Sequence, residues 1–571
     1  MDRLFNPLNY SFIIIYMIIM VVVAFIMQKY AERNTNNYFV GGREIPWWAA
    51  GISMVATTFA ADTPLAVTGI VAANGIAGNW VWWNFMFSGI FTVFLYAKLW
   101  HRAGVTTDAE FITLRYGGPI AKFLRAFRAL YLALPINCII LGWVTLGMTK
   151  LLGVITGSDP WTIIIYLYIL TTIYIAVSGI WGIVVTDFLQ FFIAMGGSII
   201  LMFHAVNHEE IGGFRNLLNV LQDKFKDNPD MLNISPFGNT EIIISTVLVW
   251  IGMQWWAAWY PGAEPGGGGY VAQRMFSTKT DKDAVKSSLL FNVFHYAIRP
   301  WPWIIVALIS IVVYPDLSDP EKGYPKMMML LPDGLFGLLV VAFLSAFMST
   351  LSTHLNWGAS YIVNDFYKLY IKPENEFDKP EIAEKHYMII SKLSTILMMF
   401  CAIGVSLLFD SVKHGWEFIL SLGAGTGLVY LLRWYWWRIN AWSEISAMTA
   451  AMISSIVAQV GGMDFAYTMI YTTLVTTMVW LLVTFSTEPE SKETLKIFYD
   501  KVRPAGPGWN IFEKQFEESL VGPFTNIIMA IIVIQSFLFG TGQLILGSFV
   551  FGLCLIITGL ITGYLLVKSI N

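Results

Sequence analysis

Apolar stretches separated by short polar breaks repeat along the whole chain. Uncharged runs of about 18 or more residues, such as Tyr10 to Met27 and Phe539 to Val567 with its internal glycines, can each cross about 30 Å of hydrocarbon as a helix. Set against charged and Gly/Pro breaks, the pattern predicts about 15 helices, over 10–29, 47–73, 78–101, 118–152, 160–178, 181–206, 241–273, 286–314, 332–368, 386–409, 414–437, 442–461, 464–486, 520–538 and 543–568. Asp2 and Arg3 precede a first run too long for a signal-peptide core, and no cleavage site follows at Gln28, Lys29 and Tyr30, so that run is read as the first span.

Composition agrees with the pattern. Of 571 residues, 56% are hydrophobic and 13% charged, against roughly 25% charged in soluble domains. The prediction is an all-α protein of the cell (inner or plasma) membrane, with lipid as its surroundings. A net charge of -3 leaves no basic face for nucleic acid. Cys138, Cys401 and Cys554 are odd in number and lie inside apolar runs, so they read as small core residues. Lys and Arg gather in alternate connections, around 29–43, 98–128, 274–286, 368–385, 433–438 and 492–514, which places the N-terminus outside and the C-terminus inside.

Two spans contain helix breakers. The first runs through Ala56, Thr57, Thr58, Phe59, Ala60, Ala61, Asp62, Thr63 and Pro64. Five spans later, Trp255 to Tyr260 leads into Pro261, Glu264, Pro265 and the glycines Gly266 to Gly269 before Tyr270. Either alone reads as a kinked structural helix; at matched spacing they fit an inverted repeat whose unwound backbone faces an ion and a solute, as in a secondary transporter.

In the ninth span, Ser349, Thr350, Ser352 and Thr353 follow Ala346 on one side of a helix. Single hydroxyls usually bond their own helix or a neighbouring one. A stripe of four, with carbonyls freed near Ala56 and Phe59 and with Asp187 in the sixth span, offers hard oxygen donors to a hard cation such as sodium. Asp187 needs a partner, and its own span holds no lysine or arginine.

These elements resemble the solute:sodium symporters. The likeness covers about Asn37 to Glu444 and rests on Tyr38 to Trp48, Ser178 to Gln190, Tyr270 to Arg274, and Ser349 to Asn356 leading to Asp365-Phe366-Tyr367-Lys368. It implies a LeuT-type 5+5 inverted repeat with one N-terminal and about four C-terminal extra helices. The corresponding segments are 1–46 (extra helix and inside loop), 47–206 (first repeat), 207–240 (outside loop), 241–440 (second repeat) and 441–571 (scaffold helices with an inside linker, 487–518). It also implies a sodium site made by the carbonyls of Ala56, Phe59 and Ala346 with Ser349 and Thr350. A second sodium site would use Asp187, Ser352 and Thr353. Tyr270 matches a tyrosine that closes the solute site toward the cytoplasm.

The sugar contacts of the family do not carry over. Their glutamate falls at Trp82, near Asn84 and Phe85; their asparagine falls in the Gly266 to Gly269 run; their glutamine falls near Trp416 and Glu417. A basic residue of the family matches Arg299, which is available to a solute carboxylate or to pairing with Glu264, Asp62 or Glu417. Asp62 and Thr63 complete the candidate solute contacts. The expected activity is sodium-coupled import of a small polar solute, a sugar, amino acid or similar molecule, by a monomer. A non-transporting solute sensor is the alternative, and a membrane enzyme is disfavoured because His295 and His354 belong to no metal or nucleophile motif and read as packed or pore-lining residues.

Overall fold

The computed structural model describes residues 6–31, 35–157, 159, 161–240, 242–257, 265–408, 412–513 and 519–570. Within a bilayer every backbone polar group must be satisfied internally, and among the described residues the chain does this with helices alone. Among the described residues, eleven helices are long and apolar enough to cross a membrane, or 12 if Trp47–Thr57 and Asp62–Asn74, bent by 57° at their break, form one span. The protein is therefore a multi-pass membrane protein.

The expected spans near 10–29, 78–101, 118–152, 286–314, 332–368, 386–409, 442–461 and 464–486 each coincide with a long apolar helix. Differences fall where breakers or length intervene. Residues 160–178 and 181–206 are drawn as one 46-residue helix, Trp161–Val206. The stretch 241–273 divides into Ile244–Gly252, a turn at Gln254–Trp256, and Gly269–Phe276, each too short to span alone. The stretch 414–437 divides into Val412–Gly423 and Gly427–Tyr435.

Position in the bundle follows from enclosure. The first and last apolar helices are 12% and 17% buried, whereas Leu335–Ile371 is 89% buried, so the hydroxyl-bearing helix is the centre of the molecule. Cys138 is buried there, but Cys401 and Cys554 are exposed on outward helix faces and are not core residues. Apolar helix surface facing lipid costs nothing, so a cysteine in an apolar run need not be inside.

Two expectations about connections are corrected. The expected spans 520–538 and 543–568 put a turn at Gly540 and Gly542, but both glycines lie inside the helix Val521–Leu546, and the chain breaks at Gly547. A Cβ at Gly542 would overlap Trp301, so these glycines permit close packing. The described part of the expected linker 487–518, residues 487–513, is not a plain linker either. It contains the helix Lys492–Val502, whose Leu495, Phe498 and Val502 are buried, and Trp509 Nε1 donates to Trp434 O at 2.9 Å.

Candidate functional site

The first break is fixed by its own side chains. Thr57 and Thr58 end the first half-helix and hydrogen-bond back to Ser53 O and Val55 O at 2.9 Å each. Phe59 N donates to Ala56 O at 3.0 Å, and the helix resumes only at Asp62, which brings a carboxylate to the positive end of the second half. Gly147 of the helix Asn137–Thr156 permits close approach, since a Cβ there would lie 2.6 Å from Asp62 Cα.

The second break is held by glycines in the left-handed region, Gly266, Gly267 and Gly269. Trp100 Nε1 donates to Gly266 O at 2.6 Å, and Gly269 N donates to Asp108 at 3.1 Å.

The hydroxyl helix Leu335–Tyr361 docks on the first break. Thr350 Oγ1 donates to Thr57 O at 2.9 Å and also reaches its own Ala346 O at 3.2 Å. Thr353 Oγ1 and Thr57 Oγ1 are 3.1 Å apart. The residues expected to hold the first cation, Ala56, Phe59, Ala346, Ser349 and Thr350, thus belong to two elements in direct contact.

Asp187 forms a second cluster beside them. Its two carboxylate oxygens accept from Ser349 at 2.6 Å and from Ser53 at 2.5 Å. Its cationic partner comes from another element: Arg274 Nη2 lies 3.8 Å from Asp187 and donates to Ser53 and Thr353 at 3.2 and 3.1 Å. Asp187 and Arg274 are both fully enclosed. Ser352 donates to Ser349 O of its own helix at 2.9 Å, and the second hydroxyl that donates to Asp187 is that of Ser53. Ser53 and Arg274 carry no signal in the hydroxyl stripe, and only the fold brings them to it.

A cavity of about 50 Å³ lies next to the break. Among the expected solute contacts, Asp62, Thr63, Trp82, Arg299 and Trp416 line it, together with Tyr270. Thr58, Trp143, Phe291, His295 and Tyr296 also face it, so His295 is a cavity residue. Asn84 and Phe85 do not line it; Asn84 Nδ2 donates back to Trp80 O at 2.7 Å. Glu264 and the side chain of Glu417 lie outside the described residues. Arg299 Nη1 donates to Val55 O at 3.0 Å and to Thr58 Oγ1 at 2.9 Å, at the carbonyl end of the first half-helix. His354 is packed instead, with Nδ1 2.6 Å from Asn137 Oδ1.

Two broken helices, a hydroxyl stripe on a third helix that docks on the first break, and a polar-aromatic cavity beside that break are the parts of an ion-coupled carrier. Residues 38–454 match the sodium:solute symporter family. The chain belongs to that family. It is a sodium-coupled transporter of a small solute, not an enzyme, and sodium is its coupling ion. Similar proteins include the sodium/glucose cotransporter 1 of Oryctolagus cuniculus, 23% identical over 82% of this chain and 73% of that one, and the sodium/glucose cotransporter of Vibrio parahaemolyticus, 24% identical over 74% and 79%. A sodium-coupled sialic acid symporter solved in a substrate-bound outward-open state shares the fold, with a TM-score of 0.67 at 18% identity over 85% of this chain and 99% of that one. The donors gathered at the symporter's first break are hydroxyl and carbonyl oxygens, the set that suits a hard monovalent cation.

Proposed function

We propose that sodium binds between the break at Ala56 to Phe59 and Ala346, Ser349 and Thr350 of the hydroxyl helix, and that this contact couples sodium to solute movement. The observation that carries the reading is the 2.9 Å hydrogen bond from Thr350 Oγ1 to Thr57 O, which joins the two elements at the point where the backbone unwinds. Sodium entering from outside ties these elements together and stabilises the outward-open state, so the solute meets a finished pocket. Solute binding in the cavity lined by Asp62, Thr63, Trp82, Arg299 and Trp416 then permits rocking to an inward-open state, with Tyr270 as the inner gate. The inward potential adds roughly 2.3 kcal/mol per charge per 100 mV.

The same reading takes the fold as a 5+5 inverted repeat, 47–206 and 241–440, within about 15 spans. It places the N-terminus outside and the C-terminus inside the cell membrane, with the protein a monomer surrounded by lipid. Asp187, Ser349 and Thr353, joined by Ser53, form a candidate second sodium position. Arg274 already brings a positive charge to Asp187, which favours one coupled sodium ion while that pair is closed.

Reconstitution in liposomes tests the proposal. An imposed inward sodium gradient should accumulate solute, and a matching potassium gradient should not. Solute binding without accumulation under any gradient would instead support a sensor.

A further inference from the structure

Among the described residues, the cavity wall carries one carboxylate, Asp62, set among rings. Asp62 is only 3% exposed and accepts a hydrogen bond from Trp416, yet its Oδ1 has no hydrogen-bond partner among the described residues. Trp82, Trp143, Tyr270 and Tyr296 face the same space. Among the described residues, the charged groups near it are Arg299, which lines the same cavity, and Glu321 behind the second half-helix, which Lys150 holds at 2.5 Å. Arg299 is engaged with the carbonyl end of the first half-helix and lies over the Trp303 ring at 5.0 Å, so its Nη1 is turned to the protein.

A buried carboxylate oxygen without a donor is costly unless a ligand supplies one. The donor that matches this wall is a positively charged nitrogen. It makes a charge-assisted hydrogen bond to the carboxylate, and its flanking methylenes rest on aromatic faces that attract cations. A monocarboxylate would meet the Asp62 charge, and a sugar would offer the carboxylate a neutral hydroxyl donor where an ammonium offers a charged one. We propose that the transported solute carries an ammonium group, held by Asp62 Oδ1 among Trp82, Trp143 and Trp416. A carboxylate on the same molecule would point toward Arg299, which lines the same cavity. This inference rests on the symport reading, because it assigns the ligand of that same cavity.

The test compares near-isosteres that differ in the charged nitrogen. Thermal stabilisation of the purified protein in sodium is measured with L-alanine, L-proline and ethanolamine, with L-lactate, and with D-glucose, followed by sodium-driven uptake of the same compounds in liposomes. At least one ammonium compound should stabilise the protein and be taken up, at an apparent affinity tenfold or more above lactate and glucose. Asp62→Asn should weaken that binding about tenfold or more, and Asp62→Glu should restore part of it. Because Asp62→Asn could also misfold, elution as a single symmetric species is required, and Trp143→Phe provides a second variant, expected to weaken the ammonium ligand while lactate and glucose stay without effect. Stabilisation by lactate or glucose and by no ammonium compound, no stabilisation by any of the five, or unchanged ammonium affinity in Asp62→Asn would each overturn the proposal. Binding of an ammonium compound without sodium-driven uptake would leave the ligand class standing and count against the symport reading alone.

Discussion

Arg274 and Asp187 face each other 3.8 Å apart in the centre of the bundle, with Ser53 bridging them and Thr353 accepting from Arg274. The pair ties the helix after the second break, Gly269–Phe276, to the long helix Trp161–Val206 and to the hydroxyl helix. A buried ion pair of this kind is costly to break from one side, because the remaining charge is left unpaired. Arg274→Ala should therefore destabilise the protein by about 3–5 kcal/mol. Adding Asp187→Asn to that variant should recover most of the loss. Thermal unfolding of the single and double variants checks this, and a double variant weaker than Arg274→Ala would remove the pair as the cause.

Sodium affinity should separate two hydroxyls only two residues apart. Thr350 reaches across to Thr57 O, whereas Ser352 bonds its own helix at Ser349 O. Thr350→Val removes an oxygen at the contact between elements and should raise the half-saturating sodium concentration about tenfold, the scale of roughly 1–1.5 kcal/mol for one polar contact. Ser352→Ala should change it by less than about twofold. Sodium titrations of uptake and of thermal stability both report the difference, and equal effects in the two variants would detach the hydroxyl stripe from the break.

The inside segment should behave as packed structure. Gly508 meets the backbone carbonyl of Tyr435, and Trp437 N donates to Gly508 O at 3.0 Å. Gly508→Ala has no room for its Cβ and should destabilise by about 1–3 kcal/mol, as overpacking does. Limited proteolysis near 487–513 should accelerate with it. Unchanged protection would return the segment to the status of a free linker.

What the sequence made legible was set by how local each feature is. Apolar length and the two Gly/Pro breaks are properties of short windows, and both breaks stand where Pro64 and the glycines from Gly266 onward predict them. The hydroxyl stripe was legible for the same reason, being one turn after another of a single helix. Arg274 was not. In sequence it counts among the charges of an inside connection, and only the packing of Gly269–Phe276 against Trp47–Thr57 brings it to Asp187. Ser53 was hidden likewise, since a lone serine in an apolar helix is indistinguishable from helix glue until its partner is known. Gly540 and Gly542 misled because glycine marks a turn in water but close helix packing in a membrane.

Arg299 offers the sharpest test of how the break is held. Its Nη1 donates to Val55 O and Thr58 Oγ1, its guanidinium lies 5.0 Å from the Trp303 ring and 5.8 Å from Phe59, and Phe59 and Trp303 meet edge to face at 4.9 Å. The residue thus fixes both the carbonyl end of the first half-helix and the ring beside it, with Ala56 and Phe59 between. A lysine keeps the charge but has no planar fork and stacks poorly, so Arg299→Lys cannot satisfy both oxygens and both rings together. If Arg299 positions the break, the lysine variant should raise the half-saturating sodium concentration about fivefold or more, in addition to any effect on solute KM. If Arg299 only touches solute, solute KM should rise while sodium dependence at saturating solute stays at the parent value. Paired sodium and solute titrations of uptake, run on Arg299→Lys and on Thr58→Ala, decide between them: Thr58→Ala removes one of the two acceptors and should reproduce the sodium effect in weaker form.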